Sequence, residues 1–209
     1  MEFIDSSAAI LMGGASSRFG SDKSRCLFHT IPLYRLLHDR LASRFSSVSC
    51  ILRDENPLND SDITTHSDLI PGLGPLGGIL TALHYSDTDV CFITAVDHPF
   101  LPPELPDLLA PQLSTADVVV PLRAGKPQPL AAFYNRSCLP AIQSAIDRGE
   151  RRVRSFWNEV RVATLDIEDL LPPDQVELAF INLNYTDDYI RAQSILRERA
   201  DVRGTGTDD

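Results

Sequence analysis

The chain is short of cations, of paired cysteines and of long apolar runs, and each shortage removes a class of function. Its 209 residues carry 19 Lys plus Arg against 29 Asp plus Glu, a formal net charge of −10. That balance repels phosphate backbones and acidic membrane surfaces at long range, so neither nucleic acid nor a membrane is expected as a partner. Cys26, Cys50, Cys91 and Cys138 form no CxxC pair and no disulfide-scaffold spacing. Reduced thiols and a cytoplasmic location are the simplest reading. No run approaches the roughly 18 apolar residues of a membrane span. The opening Met1-Glu2-Phe3-Ile4-Asp5-Ser6 has acids where a signal peptide has a basic start. His29, His38, His66, His84 and His98 show no tight ligand spacing, which argues against zinc. An anionic ligand would have to be held by a small cluster of donors, with or without a divalent cation.

What is present is alternation between strand and helix patterns. Residues 8–12 form an apolar run that feeds Gly13 and Gly14, as a buried parallel strand entering a glycine loop would. Leu33, Leu36, Leu37, Leu41 and Phe45 recur at helical spacing after Pro32, and 48–52 returns to a strand pattern. The rhythm continues with a weak strand at 63–66, a helical stripe of Leu76, Ile79, Leu80 and Leu83, and a strong strand at 90–96. A helix from Pro102 to about Leu113, strands at 118–120, 130–134 and 161–166, and helices near 139–148 and 152–159 follow. A short strand at 180–183 and a last helix capped by Thr186 complete the pattern. The fold class expected is α/β, with a mostly parallel central sheet and helices on both faces. One domain over 1–198 is expected, followed by a polar, disordered tail over 199–209.

Three blocks carry the chemistry. Leu11-Met12-Gly13-Gly14-Ala15-Ser16-Ser17-Arg18-Phe19-Gly20-Ser21-Asp22-Lys23 follows the first strand, where ligands of open α/β sheets bind. Its glycines would let backbone N–H groups approach phosphate oxygens, and Arg18 and Lys23 would add charge. The block matches neither a P-loop nor a GxGxxG fingerprint, and it reads equally as a glycine turn with two solvated cations. Asp97, in Thr94-Ala95-Val96-Asp97-His98-Pro99-Phe100, ends a buried strand and is the metal-ligand candidate; capping its own turn is the alternative. Asp68-Leu69-Ile70-Pro71-Gly72-Leu73-Gly74-Pro75-Leu76-Gly77-Gly78 joins turn residues to a helix start. Gly77 and Gly78 each cost a helix about 1 kcal/mol relative to Ala, so close approach of a ligand or a second backbone is expected there, with a packing contact as the alternative.

With these blocks, and with Asn182-Leu183-Asn184-Tyr185-Thr186-Asp187-Asp188 near the end, the sequence resembles the molybdenum cofactor guanylyltransferases. The opening block matches their LAGGxSxRMGxDK pattern, Gly74-Pro75-Leu76-Gly77-Gly78 their GPLxG, Asp97-His98-Pro99-Phe100 their DxPF, and 182–188 their NxNTPED-like block. The resemblance implies a Rossmann-like nucleotidyltransferase that joins GMP from GTP to the phosphate of molybdopterin and releases pyrophosphate. It implies further that Leu11, Met12, Gly13 and Gly14 line the nucleotide, Lys23 binds its phosphates with Arg18, and Asp97 holds Mg²⁺ with Asn182 and Asn184 nearby. Asp68 and Gly74-Pro75-Leu76 fall in the nucleoside pocket. Lys126 and Gln128, with Arg152 and Arg154, are candidates for the molybdopterin side; for the arginines an exposed basic helix face is the alternative. Cofactor-assembly proteins and acceptor molybdoenzymes are the expected protein partners. The chain departs from the pattern at Met12, Phe19 and Tyr185. It also reads Leu52-Arg53-Asp54 where guanylyl members often place Asn. Cytidylyl transfer, nucleotidyl transfer to another phosphorylated metabolite, and a non-catalytic GTP-binding module are the rival readings.

Overall fold

The computed structural model describes residues 4–13, 27–28, 31–53, 58 and 60–180. Gly14, Arg18, Lys23, Asn182 and Asn184, the last predicted helix and the polar tail lie outside these residues. The strands are β1 (Ile4–Leu11), β2 (Leu27–Phe28), β3 (Ile31–Pro32), β4 (Phe45–Leu52), β5 (Thr64–Ser67), β6 (Val90–Ala95), β7 (Val118–Arg123), β8 (Lys126–Pro127), β9 (Ala131–Asn135) and β10 (Val162–Asp166). The α-helices are α1 (Leu33–Ala42), α2 (Pro75–Tyr85), α3 (Leu105–Leu109), α4 (Leu139–Asp147) and α5 (Pro173–Ala179).

The main sheet runs β10-β7-β9-β6-β1-β4-β5, with β8 paired to β7. β1 pairs in parallel with β4 and β6, β4 with β5, and β7 with β10, while β9 lies antiparallel between β6 and β7. The expectation of a mostly parallel sheet holds, with β9 as the inversion. Alternation along the strands builds two cores. Ala8, Ile10, Phe92 and Phe133 face α1, α3 and α5, whereas Ala9, Leu11, Ile93 and Tyr134 face α2 and α4. The chain steps outward from β1 to β4 and β5, then returns through α2 to β6 on the other side of β1. The carboxyl ends of β1 and β6 therefore flank a topological switch point, where open α/β sheets bind ligands.

Phe45 and Phe92 come from strands on either side of β1, yet their rings stack at 5.6 Å. They meet over a strand whose residue registered with Phe92 is the small Ala8. Phe133 of β9 packs on Phe92 at 5.1 Å and Phe45 at 6.2 Å, joining the antiparallel strand to the parallel half.

Several predicted boundaries move. Phe45 belongs to the start of β4 instead of ending the α1 stripe, because α1 stops at Ala42. The helix expected from Pro102 begins at Leu105 and tightens to a 3-10 turn over Ala110–Ser114, where Pro111 has no N–H to continue an α-helix. The segment Val153–Glu159 is likewise 3-10 rather than α. Its inward residues Val153 and Phe156 are three apart, the spacing that eclipses on a three-residue turn. Phe156 is fully buried and Trp157 packs beside that core. Phe180 ends α5, and 181–183 lie outside the described residues, so the strand predicted over 180–183 is not among the observed elements.

Candidate functional site

The site is assembled by register. Ala95, Leu11, Ile51 and His66 form one row across β6, β1, β4 and β5. Two residues further along each chain stand Asp97, Gly13, Arg53 and Asp68. Backbone bonds extend the parallel pattern past the strand ends: Met12 N–H donates to the Ile51 carbonyl at 2.9 Å, Val96 N–H to Leu11 at 3.1 Å, and Asp68 N–H to Leu52 at 2.8 Å. With strands roughly 4.8 Å apart, the row runs across the whole carboxyl edge of the parallel half.

A cleft of about 300 Å³ opens over the Gly13, Arg53 and Asp68 part of this row, bordered also by Leu11 and the N-terminal turn of α2. Gly13 is exposed, and a Cβ there would lie 3.5 Å from the Cβ of Arg53. Gly74 enters α2 with φ 64° and ψ −147°, a conformation open essentially only to glycine. No side chain caps α2, leaving its first-turn N–H groups without an internal acceptor beside the cleft. The two helix glycines serve packing. A Cβ at Gly77 would come within 2.9 Å of the Leu73 Cβ, and one at Gly78 within 3.1 Å of the Leu11 side chain. They let the α2 entry loop and β1 close on the helix, and Gly78 also lines the cleft.

Asp68 is half-buried beside Thr81, whose hydroxyl donates to the Gly77 carbonyl at 2.9 Å and accepts from Leu69 N–H at 3.0 Å. With that proton committed, the carboxylate sits 3.5 Å away at the limit of a hydrogen bond. Burial pushes the Asp68 carboxyl above its ordinary range, while the Thr81 hydroxyl and the Arg53 charge pull the other way.

Asp97 stands in the turn after β6. Its Oδ1 is shut off from solvent and has no hydrogen-bond partner among the described residues; the His98 Nε2 is 4.0 Å away. A buried carboxylate oxygen without a donor is costly unless something positive reaches it. A divalent cation fits that need. Among the described residues no cluster of three acidic, His or Cys side chains could hold a metal alone. The fit is therefore to a cation sharing one carboxylate with substrate phosphates and water, as Mg²⁺ does. His98 is buried, with Nδ1 3.2 Å from the Leu130 carbonyl and its ring edge-on to Phe180.

Lys126 and Gln128 lie on the β7–β8 hairpin, which turns at the same sheet edge. Ala124 and Gly125 take φ of 48° and 68° in that turn. The Glu168 carboxylate accepts from Ala124 N–H at 3.1 Å and steadies the strained residue. Arg152 and Arg154 border a separate hollow of about 520 Å³ together with Arg151. Arg151 Nη1 donates to the Gly72 carbonyl at 3.4 Å, linking this hollow to the loop beside the cleft. Arg53 and Arg151 were not among the predicted site residues. The signals for them were the position of Arg53 at a strand end and the run of arginines after Gly149.

A switch-point cleft, a glycine-floored row and an unpartnered strand-end carboxylate define a nucleotidyltransferase of the Rossmann-like class. The model of the MobA-like NTP transferase domain matches residues 8–163, and the chain belongs to that family. It is 32% identical over 181 residues to a probable molybdenum cofactor guanylyltransferase of Carboxydothermus hydrogenoformans, covering 87% of this chain and 91% of the relative. A protein of the same description from Pelotomaculum thermopropionicum is 32% identical over 193 residues, covering 91% and 93%. Among solved structures, molybdopterin-guanine dinucleotide biosynthesis protein A from Archaeoglobus fulgidus superposes with a TM-score of 0.79 at 26% identity, covering 92% of this chain and 99% of that one. A 2-C-methyl-D-erythritol 4-phosphate cytidylyltransferase from Thermus thermophilus shares the fold at a TM-score of 0.68 and 14% identity, covering 93% and 100%.

Proposed function

We propose that the protein transfers GMP from GTP to the phosphate of molybdopterin. A phosphate oxygen of the acceptor attacks the α-phosphorus, the α–β phosphoanhydride bond breaks, and pyrophosphate leaves. The observation that carries this reading is the registered row, which sets the Asp97 carboxylate beside the glycine end of β1 and the Arg53–Asp68 pair farther along the same edge.

The reaction brings anions together, so positioning and neutralisation dominate and no side-chain nucleophile is required. Bound Mg²⁺ would supply Lewis-acid stabilisation of the reacting phosphates. Asp97 would hold that cation, with Asn182 and Asn184 completing its surroundings. Gly13 and Gly14 would admit the phosphates close to the backbone, and Lys23 and Arg18 would hold the departing pyrophosphate. Asp68 and Gly74-Pro75-Leu76 would wall the nucleoside. Lys126 and Gln128 on the hairpin, with Arg152 and Arg154 in the neighbouring hollow, would face molybdopterin. The domain spans 1–198 in this reading, and 199–209 form a tail outside it. A cytoplasmic location agrees with the buried free thiols Cys50, Cys91 and Cys138, and among the described residues no helix is long and apolar enough to cross a membrane. Assembly proteins delivering molybdopterin and acceptor molybdoenzymes are the partners this role requires.

The test is pyrophosphate release from GTP, CTP and ATP in Mg²⁺, with and without molybdopterin supplied on a carrier protein. Release from GTP alone, dependent on molybdopterin, is expected. Preference for CTP would overturn the donor assignment, and GTP binding without release would leave an accessory GTP-binding module.

A further inference from the structure

We propose that Arg53 is the residue that reads the donor base, its guanidinium pairing with the O6 and N7 acceptors of guanine. The inference deepens the guanylyl-transfer reading and rests on it for the identity of the base.

Three observations carry it. Arg53 follows the end of β4 in the row that the strand register sets, between Gly13 just past β1 and Asp68 just past β5, and two strands from Asp97. A nucleotide lying along that row with its phosphates toward Asp97 has its base toward Arg53 and Asp68. The stem of Arg53 lies over Gly13: a Cβ added to the glycine would meet its Cβ, Cδ and Cγ at 3.5, 3.8 and 3.9 Å. The bare glycine thus seats the aliphatic part of the side chain at the wall of the cleft. Among the described residues the guanidinium makes neither an ion pair nor a hydrogen bond, and its charge acts on the Asp68 carboxyl beside it at the cleft wall.

The chemistry is selective. A planar fork of N–H donors matches the paired O6 and N7 acceptors of guanine. Adenine presents an amino group in place of O6, which would set donor against donor. The Asp68 carboxylate on the adjacent strand offers acceptors suited to the N1–H and amino donors on guanine's other edge. One strand end therefore supplies donors and its neighbour acceptors, the complement of guanine's own pattern.

The experiment measures binding by calorimetry, and steady-state kinetics, for GTP, 7-deaza-GTP (which lacks N7) and ATP. It compares the wild-type protein with Arg53→Met, which keeps the stem, and Arg53→Lys, which keeps the charge but loses the fork. Wild type is expected to prefer GTP over 7-deaza-GTP by about tenfold, and Arg53→Met and Arg53→Lys to abolish that preference. In Arg53→Met, KM for GTP should rise about tenfold with a much smaller change in kcat, as for a contact made equally in the ground and transition states. Equal weakening of all three nucleotides in Arg53→Met would mean that Arg53 serves the phosphates, overturning the proposal. Unchanged ratios in both variants would overturn it as well, with GTP turnover leaving the functional reading intact. If wild type binds GTP with N7 discrimination but releases no pyrophosphate, the functional reading falls and base reading by Arg53 survives. Absence of GTP binding overturns both.

Discussion

The two halves of the sheet hold their functional groups by different means. In the parallel half, from β5 through β4 and β1 to β6, a single register sets Gly13, Arg53, Asp68 and Asp97 on one edge, and the backbone does most of the positioning. In the other half, β9 runs against its neighbours, and the candidate groups sit on a tight hairpin and a 3-10 segment. Lys126, Arg152 and Arg154 are long cations on those elements, able to adapt to an acceptor. The first arrangement suits a ligand of fixed shape; the second can adjust to the ligand it meets.

The seam between the halves is the place to break this comparison most severely. Phe133→Ala removes the ring that ties β9 to Phe92 and Phe45, and is expected to cost about 3–5 kcal/mol. Urea melts followed separately by fluorescence and circular dichroism should remain coincident, showing one cooperative unit; separated transitions would mean that the halves unfold independently. Next in size, Asp97→Asn keeps the shape of the turn and removes the charge. Turnover should fall about a hundredfold, or about 2.7 kcal/mol in transition-state stabilisation, with acceptor affinity unchanged. Wild-type turnover at saturating Mg²⁺ would remove Asp97 from the chemistry.

Asp117 tests the second half alone. It accepts from Arg161 through the backbone N–H at 3.0 Å, Nε at 3.0 Å and Nη2 at 2.8 Å, clamping the start of β7 to that of β10. These bonds draw its carboxyl down to about 2, against an unfolded value of about 3.9. Because the folded value is the lower one, the clamp's contribution is full above the unfolded value and is lost as pH falls toward 2. Asp117→Asn should cost roughly 1–2 kcal/mol at neutral pH, flatten the acid limb of a stability profile, and leave GTP affinity alone. The smallest effect is expected at Asp68, where the sign reverses. Its folded value is raised, so wild-type stability should decline slightly as pH climbs from the unfolded carboxylate value through the folded one. Asp68→Asn should lack that decline in urea titrations while binding GTP less tightly.

The parallel half was the more legible in sequence because its constraints fall on the backbone. Gly74 and the glycines at 77 and 78 mark places where a Cβ would obstruct or a positive φ is required, and glycine records both. Asp97 was visible because proline follows close behind the strand that ends there. The registered row was not visible, since register is set between strands distant in sequence. Arg53 stood out only as part of a departure, Leu52-Arg53-Asp54 where guanylyl members often have asparagine, and nothing in sequence placed it between Gly13 and Asp68. The direction of β9 was equally hidden: 130–134 reads as a strand either way, and only the short hairpin at 124–125 turns it back. α5 escaped notice because Pro173–Ala179 is too short to display a helical period.

That hairpin sets the terms on which the enzyme can diversify. Its turn projects from the end of β7 and is held by one carboxylate, Glu168, and no residue of the registered row belongs to it. Lengthening or replacing 124–128 would remodel that edge of the sheet while leaving the strand pairing around Gly13 and Asp97 as it is. On the proposed placement of the acceptor beside Lys126 and Gln128, new acceptor preferences would be grafted at the edge of an unaltered strand platform.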